Sequence, residues 1–281
     1  INGKLKAINP ISGDTLWSKS TKFKFSATPL LENKTIYIGT YNGYLTAFDA
    51  VNGTFKWKAN IGSTILAQPS YSDNKVFVHS NNDFLTAVDA TNGKVLWAYR
   101  DQIPTIVLQA DSKPIISSDG NVIFGNDNGL LNTISADKGE KVWSYPVAVP
   151  TGANAVSRMV DITSTPLLDG DTIYVMPYSG KTKAIDLTSN QQMWQRDYQG
   201  YRDMAQDDLH IYLVTNKSKV VSLNKMTGRT YWVQKKLMGR TLSAPAVLNG
   251  KYLVVGDFAG YVHFMDTETG ELLGRTKITG S

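Results

Sequence analysis

An all-β fold of repeated four-stranded antiparallel units, closed as a β-propeller, is predicted by three observations on this chain of 281 residues. All six tryptophans hold the same place in a repeated stretch, at Trp17, Trp57, Trp97, Trp143, Trp194 and Trp232, and Gly274 holds it in a seventh copy. The steps between these places are 40, 40, 46, 51, 38 and 42 residues, the period of a propeller blade or a two-helix solenoid unit. Each copy then breaks at turn residues into pieces too short for a buried helix, which leaves the strand reading. Finally, a Gly lies four residues before the Trp place in every copy but the fifth, which has Asn190, and a short Asp, Asn or Ser lies four residues earlier still. That pairing marks a tight hairpin turn.

The second copy, "SATPLLENKTIYIGTYNGYLTAFDAVNGTFKWKAN", gives the elements in order. Four strands are expected, at 26–31, 35–40, 44–49 and 54–58, all rich in β-branched and aromatic residues. Glu32-Asn33-Lys34 joins the first pair, Tyr41-Asn42-Gly43 the second, and Ala50-Val51-Asn52-Gly53 the third, each in the manner of a short hairpin loop. Pro29, Pro69, Pro114, Pro166 and Pro245 stand at the start of the innermost strand, where a missing N–H costs no ladder bond, and Met204 replaces Pro in the sixth copy. On the outer strand, Trp97 is expected to share a face with Val95. Ten residues before the Trp place comes a small residue, Ala7, Ala47, Ala87, Thr133, Ala184 or Ser222, which leaves room for an indole. A large ring removes ~150–250 Å² from water, so the six tryptophans read as wedges between blades.

The repeat assigns residues 1–281 to a single propeller domain. The chain opens in the middle of a repeat, so it is expected to be trimmed at both ends, with about seven blades covered. Its formal charge is +5, but the 29 Lys and Arg are spread over the repeats, unlike the single basic face of a nucleic-acid binder. With no Cys, thiol catalysis, Cys-ligated zinc and disulfides are excluded. No apolar run reaches the ~20 residues of a membrane helix.

Motifs that carry chemistry are few. "GNDNG" at 125–129 and Asp207-Asp208 both fall at hairpin turns, and turn chemistry accounts for them. His79, His210 and His263 share no repeat position and no His-x-x-His spacing, so no metal site is assigned. Asn-x-Ser/Thr matches at Asn33, Asn52 and Asn216 coincide with turns. No nucleophile elbow, phosphate loop or dinucleotide fingerprint is present, and no catalytic residue or cofactor is assigned. What remains is where the repeat is broken. "RDQIPTIVLQADSKP", 100–114, and "YPVAVPTGANAVSRMVDITSTP", 145–166, both run from an outer strand to the next innermost strand, and the first carries the apolar run Ile103 to Leu108. Insertions in a repetitive scaffold map to loops, and loops carry binding. Two readings of the breaks stay open: a protein-docking surface, or apolar residues folding back to plug the ring.

"AFDAVNGTFKW" and "AVDATNGKVLW" resemble the quinoprotein-type (PQQ-like) repeat, Ala-x-Asp-x-x-x-Gly-x-x-x-Trp. Enzymes with that repeat hold a quinone against a vicinal Cys pair beside a Ca²⁺, and this chain has no Cys. Over its whole length the sequence is more closely similar to the outer-membrane protein assembly factor BamB family, through "IPTIVLQADSKP", "RMVDITSTP", "IYLVTNKSKVVSL" and "LVVGDFAGYVHF". That resemblance implies an eight-bladed, non-enzymatic lipoprotein at the periplasmic face of a Gram-negative outer membrane, its lipid anchor outside this chain. The implied partners are the periplasmic POTRA domains of BamA and nascent outer-membrane proteins. Carried over residue by residue, the family's contact positions fall on Ile106, Leu108, Gln109, Arg158, Asp161 and Thr163. Gln109 stands where the family has Arg, and Thr163 where it has a second Asp, so two charged positions are neutral here. The alternative function is a quinoprotein-like enzyme or a ligand-binding propeller that uses the central funnel.

Overall fold

The computed structural model describes residues 3–101, 112–150 and 159–278, and among them it contains strands, turns and bends but no helix. A two-stranded sheet comes first, β1 (Lys4–Ile8) and β2 (Thr15–Ser20). Six four-stranded sheets follow. The first two are β3 (Leu30–Glu32), β4 (Thr35–Gly39), β5 (Tyr44–Asp49), β6 (Phe55–Asn60), and β7 (Ser70–Ser72), β8 (Lys75–Ser80), β9 (Phe84–Asp89), β10 (Val95–Arg100). Next are β11 (Ile115–Ile116), β12 (Val122–Gly125), β13 (Leu130–Ile134), β14 (Lys141–Pro146), and β15 (Leu167–Asp169), β16 (Thr172–Val175), β17 (Thr182–Asp186), β18 (Gln191–Arg196). The last two are β19 (Ala205–Gln206), β20 (His210–Val214), β21 (Val220–Asn224), β22 (Thr230–Gln234), and β23 (Ala246–Leu248), β24 (Tyr252–Gly256), β25 (Tyr261–Asp266), β26 (Leu272–Lys277). Strands pair in chain order, antiparallel as in β3–β4, β4–β5 and β5–β6.

Contacts divide the chain into two compact units, Ile1–Asn126 with Asn132–Ser144, and Asp127–Leu131 with Tyr145–Ser281. Within each, the core lies between successive sheets. In the first unit, Tyr37, Leu45 and Trp57 of one sheet pack with Val76, Val78 and Val88 of the next. In the second, Tyr174, Ala184 and Trp194 pack with Ile211, Leu213 and Leu223.

The turn between the third and fourth strands of each sheet explains how these faces are joined. Asp49 Oδ1 accepts the Val51 and Asn52 N–H groups at 2.8 and 3.3 Å, and Gly53 closes the turn at φ 72° with its N–H on the Asp49 carbonyl. The tryptophan of the preceding sheet sits over that glycine. Trp17, Trp57 and Trp97 donate Nε1–H to the carbonyls of Ala50, Ala90 and Ala136 at 3.0, 3.1 and 3.0 Å. Trp194 and Trp232 donate likewise to Lys225 and Thr267 at 2.7 and 3.0 Å. A Cβ placed on Gly53, Gly93, Gly139, Gly228 or Gly270 would lie 2.7, 2.6, 2.6, 2.5 or 2.5 Å from the ring above it. Trp143 holds the same position on β14 and is half-buried.

Three details differ from the sequence reading. The innermost strand of the second repeat is Leu30–Glu32 rather than 26–31, because Pro29 has no N–H to pair; Ser26 still reaches the Gly39 carbonyl at 3.1 Å. Other innermost strands likewise begin just after Pro69, Pro114, Pro166, Met204 and Pro245. Secondly, Val95 does not share a face with Trp97. A bulge puts two outer-strand residues against one, so Trp97 faces Ala87 while Val95 faces Val88, the next residue along and on the opposite side. The same shift recurs between Ala47 and Phe48, Ala184 and Ile185, Ser222 and Leu223, and Phe264 and Met265. Thirdly, where Gly274 replaces the Trp, its cross-strand partner is Phe264 instead of a small residue, so the aromatic ring has moved to the neighbouring strand.

In the last sheet, the linker from β22 is fastened to the β24–β25 hairpin by a buried carboxylate. Asp257 Oδ2 takes Arg240 Nη1 at 3.0 Å and His263 Nε2 at 2.9 Å, and Asp257 Oδ1 accepts the Ala259 and Tyr261 N–H groups at 3.0 Å each. Burial alone would raise the Asp257 pKa; the bonds from His263, the Tyr261 N–H and Arg240 outweigh it and bring the value down to about 2.

Two outcomes are expected. Gly250→Ala, at φ 66° with open space where the Cβ would go, should cost about 1 kcal/mol from left-handed backbone alone. Gly93→Ala, at φ 78° under Trp57, should cost about 1–3 kcal/mol more, since the ring must also give way; urea unfolding of both variants measures the difference. For Asp257, a folded pKa below the unfolded value of about 3.9 means stabilisation that is complete above pH ~4 and lost as pH falls towards about 2. Thermal midpoints should therefore drop more steeply between pH 4 and 2 for the parent chain than for Asp257→Asn, and equal slopes would remove the carboxylate from this role.

Candidate functional site

The two insertions leave β10 and β14 and lead to β11 and β15, each an outer strand to the next innermost one. Of the first, Ile106, Leu108 and Gln109 lie outside the described residues, as does Arg158 of the second. The ends of both insertions are described, and they are firmly held.

At the start of the first, Asp101 Oδ2 accepts bonds from the Tyr99 hydroxyl and Asn132 Nδ2, each at 3.4 Å. Burial, with the Asp101 charge beside it, pushes the Tyr99 hydroxyl up to about 12, so it stays protonated and can donate. At the other end, the Ser112 carbonyl meets His79 Nδ1 at 2.9 Å, and His79 Nε2 meets Asp83 Oδ1 at 3.0 Å. Ser112 Oγ accepts the Gly125 N–H at 3.2 Å, and the Pro114 carbonyl accepts the Ser70 hydroxyl. Phe124 packs edge-on against the His79 ring with centroids 4.7 Å apart. His79 is thus a buried strut between a hairpin and the returning linker.

The second insertion begins with Val147 and Ala148, both of whose N–H groups bond the Gly129 carbonyl at 2.9 and 3.1 Å. Gly129 has φ 74°, and a Cβ there would meet the Ala148 carbonyl oxygen at 2.6 Å and Val160 Cγ2 at 2.9 Å. A turn glycine is therefore also a close-approach glycine. Farther on, the Asp161 carbonyl accepts the Tyr178 N–H at 2.9 Å, and Ser164 Oγ donates to the Met176 carbonyl at 2.7 Å. Thr165 N–H bonds Asp203 Oδ1 at 2.6 Å, and the Thr163 hydroxyl lies 3.5 Å from the Tyr201 carbonyl.

Asp161 is 0% exposed and Thr163 7%, so neither of these two positions presents its side chain to solvent. Val160 and Ile162 beside them are buried too, whereas Val149 is 64% exposed. Next to Val149 is a cavity of about 230 Å³, walled by Val147, Val160, Gly180, Lys181 and Lys183. Lys183 Nζ lies 5.3 Å from the Tyr145 ring centre and donates to the Pro146 carbonyl at 3.2 Å. Burial, then the neighbouring Lys181 charge, lowers its pKa. The sequence assigns Gly129, His79 and Lys183 no part in this site: Gly129 reads as an ordinary turn residue within "GNDNG", His79 is weighed only as a metal ligand, and no spacing rule places it beside Ser112.

The remaining histidines are also matched to carboxylates. His210 Nδ1 lies 3.1 Å from Asp207 Oδ1, whose other oxygen accepts the Tyr212 hydroxyl at 2.5 Å, and the Leu209 and His210 N–H groups close an Asx-type turn on the same side chain. "GNDNG" forms the turn from β12 to β13. Among the described residues, no three His, Asp or Glu side chains gather as a metal site would require.

Comparison with known proteins places this arrangement. The model of the family described as "Outer membrane protein assembly factor BamB" matches residues 2–234. The outer membrane protein assembly factor BamB of Shewanella oneidensis is 37% identical over 131 residues, 47% of this chain and 33% of that protein. The chain is thus matched to about a third of that relative's own length. The crystal structure of BamB from Moraxella catarrhalis superposes with a TM-score of 0.90 at 25% identity, covering 96% of this chain and 81% of that one. A quinohemoprotein alcohol dehydrogenase from Comamonas testosteroni, at 13% identity and a TM-score of 0.77 over 98% of this chain and 64% of its own, shares the fold alone. The fold is an all-β propeller of PQQ-like repeats, and the chain belongs to the outer membrane protein assembly factor BamB family.

Proposed function

We propose that this chain is a non-enzymatic scaffold subunit of outer-membrane β-barrel assembly, docking on the periplasmic POTRA domains of BamA and assisting the delivery and insertion of nascent outer-membrane proteins. Family membership over residues 2–234 carries the reading. Its site is the pair of insertions, where this chain departs from its own repeat.

In this reading Ile106 and Leu108 are the apolar anchors, since a few central residues usually dominate such interfaces. Gln109 and Arg158 flank them. Asp161 and Thr163 take an indirect part: being buried, they hold the end of the second linker in place rather than meet a partner with their side chains. Neutral Gln109 and Thr163 leave the interface with fewer charges than the family pattern, so apolar contact bears most of the affinity.

Calorimetric titration of the chain with BamA POTRA domains tests this. Saturable one-to-one binding is expected, weakened at least tenfold by Leu108→Glu. Asp161→Asn, which keeps the side chain's size while removing its charge, should weaken binding only a few-fold, with the thermal midpoint recorded to separate loss of binding from loss of fold. Absence of binding by the parent chain, or a Leu108→Glu variant that binds unchanged, would sink the proposal.

A further inference from the structure

The second repeat departs from its siblings at one more place, remote in sequence from both insertions. At the pair beyond the bulge, the other four-stranded sheets join Val88 to Val95, Ile185 to Gln192, Leu223 to Thr230 and Met265 to Leu272 wherever that register is described. Here the pair is Phe48 and Phe55. Phe23, from the linker after β2, stacks on Phe55 with centroids 5.6 Å apart and planes 24° apart, and meets Phe48 edge-on at 6.1 Å. Phe48 and Phe55 are themselves edge-to-face at 5.6 Å.

These three rings form a bowl. Phe48 is 2% exposed and makes the floor, while Phe55 is 50% exposed and makes the lip. The bowl opens into a cavity of about 500 Å³, within the ~300–1,000 Å³ usual for small-molecule sites. Lys19, Lys22 and Lys58 stand around it, and no carboxylate is among the side chains that line it. Among the described residues none of these lysines lies within ion-pair distance of an acid, in contrast to Lys56, Lys75, Lys181 and Lys225, which all do. Lys58 Nζ rests 4.6 Å above the Tyr44 ring.

Aromatic surface ringed by uncompensated ammonium groups selects its occupant by two criteria at once. A small hydrophilic anion would leave Phe55 in water, and a neutral apolar molecule would leave three charges unused. A molecule with an apolar body and one anionic head satisfies both. We propose that this cavity binds a single-chain anionic amphiphile, its tail on Phe23, Phe48 and Phe55 and its carboxylate, sulfate or phosphate head among Lys19, Lys22 and Lys58. This binding does not depend on docking to any protein partner.

The test uses the intact chain and dodecanoate below its micelle concentration, followed by calorimetry, with dodecanol and dodecyltrimethylammonium as the neutral and cationic arms. Dodecanoate is expected to bind one-to-one, at least tenfold more tightly than dodecanol, with no binding of the cation. Phe55→Ser and the double variant Lys19→Glu/Lys22→Glu, all at solvent-exposed positions, should each weaken dodecanoate at least tenfold while the thermal midpoint of the chain stays unchanged. Raising the salt concentration should weaken dodecanoate and leave dodecanol unaffected. No saturable binding, equal affinity for acid and alcohol, or unchanged affinity in both variants would overturn the proposal.

Discussion

A tryptophan lying on a glycine that cannot be anything else is the contact on which this structure depends. The turn glycine must have positive φ to close the hairpin, and it must lack a Cβ because the indole of the preceding sheet occupies that space, as at Gly93 under Trp57. The same indole satisfies its only polar atom on the carbonyl of Ala90, the residue after the turn aspartate. Asp89, Ala90 and Gly93 therefore form one receptor, and Trp57 is the part that fits it. Trp17, Trp57 and Trp97 in the first unit, and Trp194 and Trp232 in the second, each reach such a receptor on the following sheet, so within each unit the order of these sheets follows the order of the chain. Such a scaffold is insensitive to what happens in its linkers, and sequence variation can collect there at little cost to stability.

How much of this was legible beforehand follows from which features need a particular residue type. Strand count, hairpin positions and the Trp place are written in turn residues and β-branched runs, and those match the sheets strand for strand. The bulge needs no special residue: Leu96 occupies it here, nothing in the sequence marks it, and Val95 therefore lies on the face opposite the one that strand alternation predicts. Pro29 marked the innermost strand but shortened it as well, since an imino nitrogen can stand before a ladder more easily than within one. Depth was hardest to read. Asp161 in a long linker reads as a surface acid, yet it is buried along with its neighbours Val160 and Ile162, and its carbonyl is bonded by the Tyr178 N–H. The Phe48–Phe55 contact has the same origin, because only the bulge register brings residues seven apart in sequence face to face.

Repetition also sharpens what counts as a signal. Trp57, the rarest and largest residue type in its repeat, is explained completely by the scaffold, and so are the buried histidines, whose ring nitrogens meet hairpin carboxylates. Residues with no counterpart in sister repeats are the ones left over, namely the insertions and the aromatic bowl. Their chemistries differ in a way that follows from charge placement. Around the bowl, three lysines face solvent without carboxylate partners, so attraction for an anion there acts through water and salt screens it. In the insertions the Asp161 side chain is buried, the positions at Gln109 and Thr163 are neutral and Arg158 is the one remaining charged position, so an interface built there gains less from long-range attraction than the bowl does and depends more on apolar area. Ionic strength consequently separates the two surfaces: it should govern occupancy of the bowl and affect docking through the insertions much less. A net charge of +5 spread over the chain would make both respond alike if it acted through the overall field, so a difference in salt response locates the charges that matter at the bowl itself.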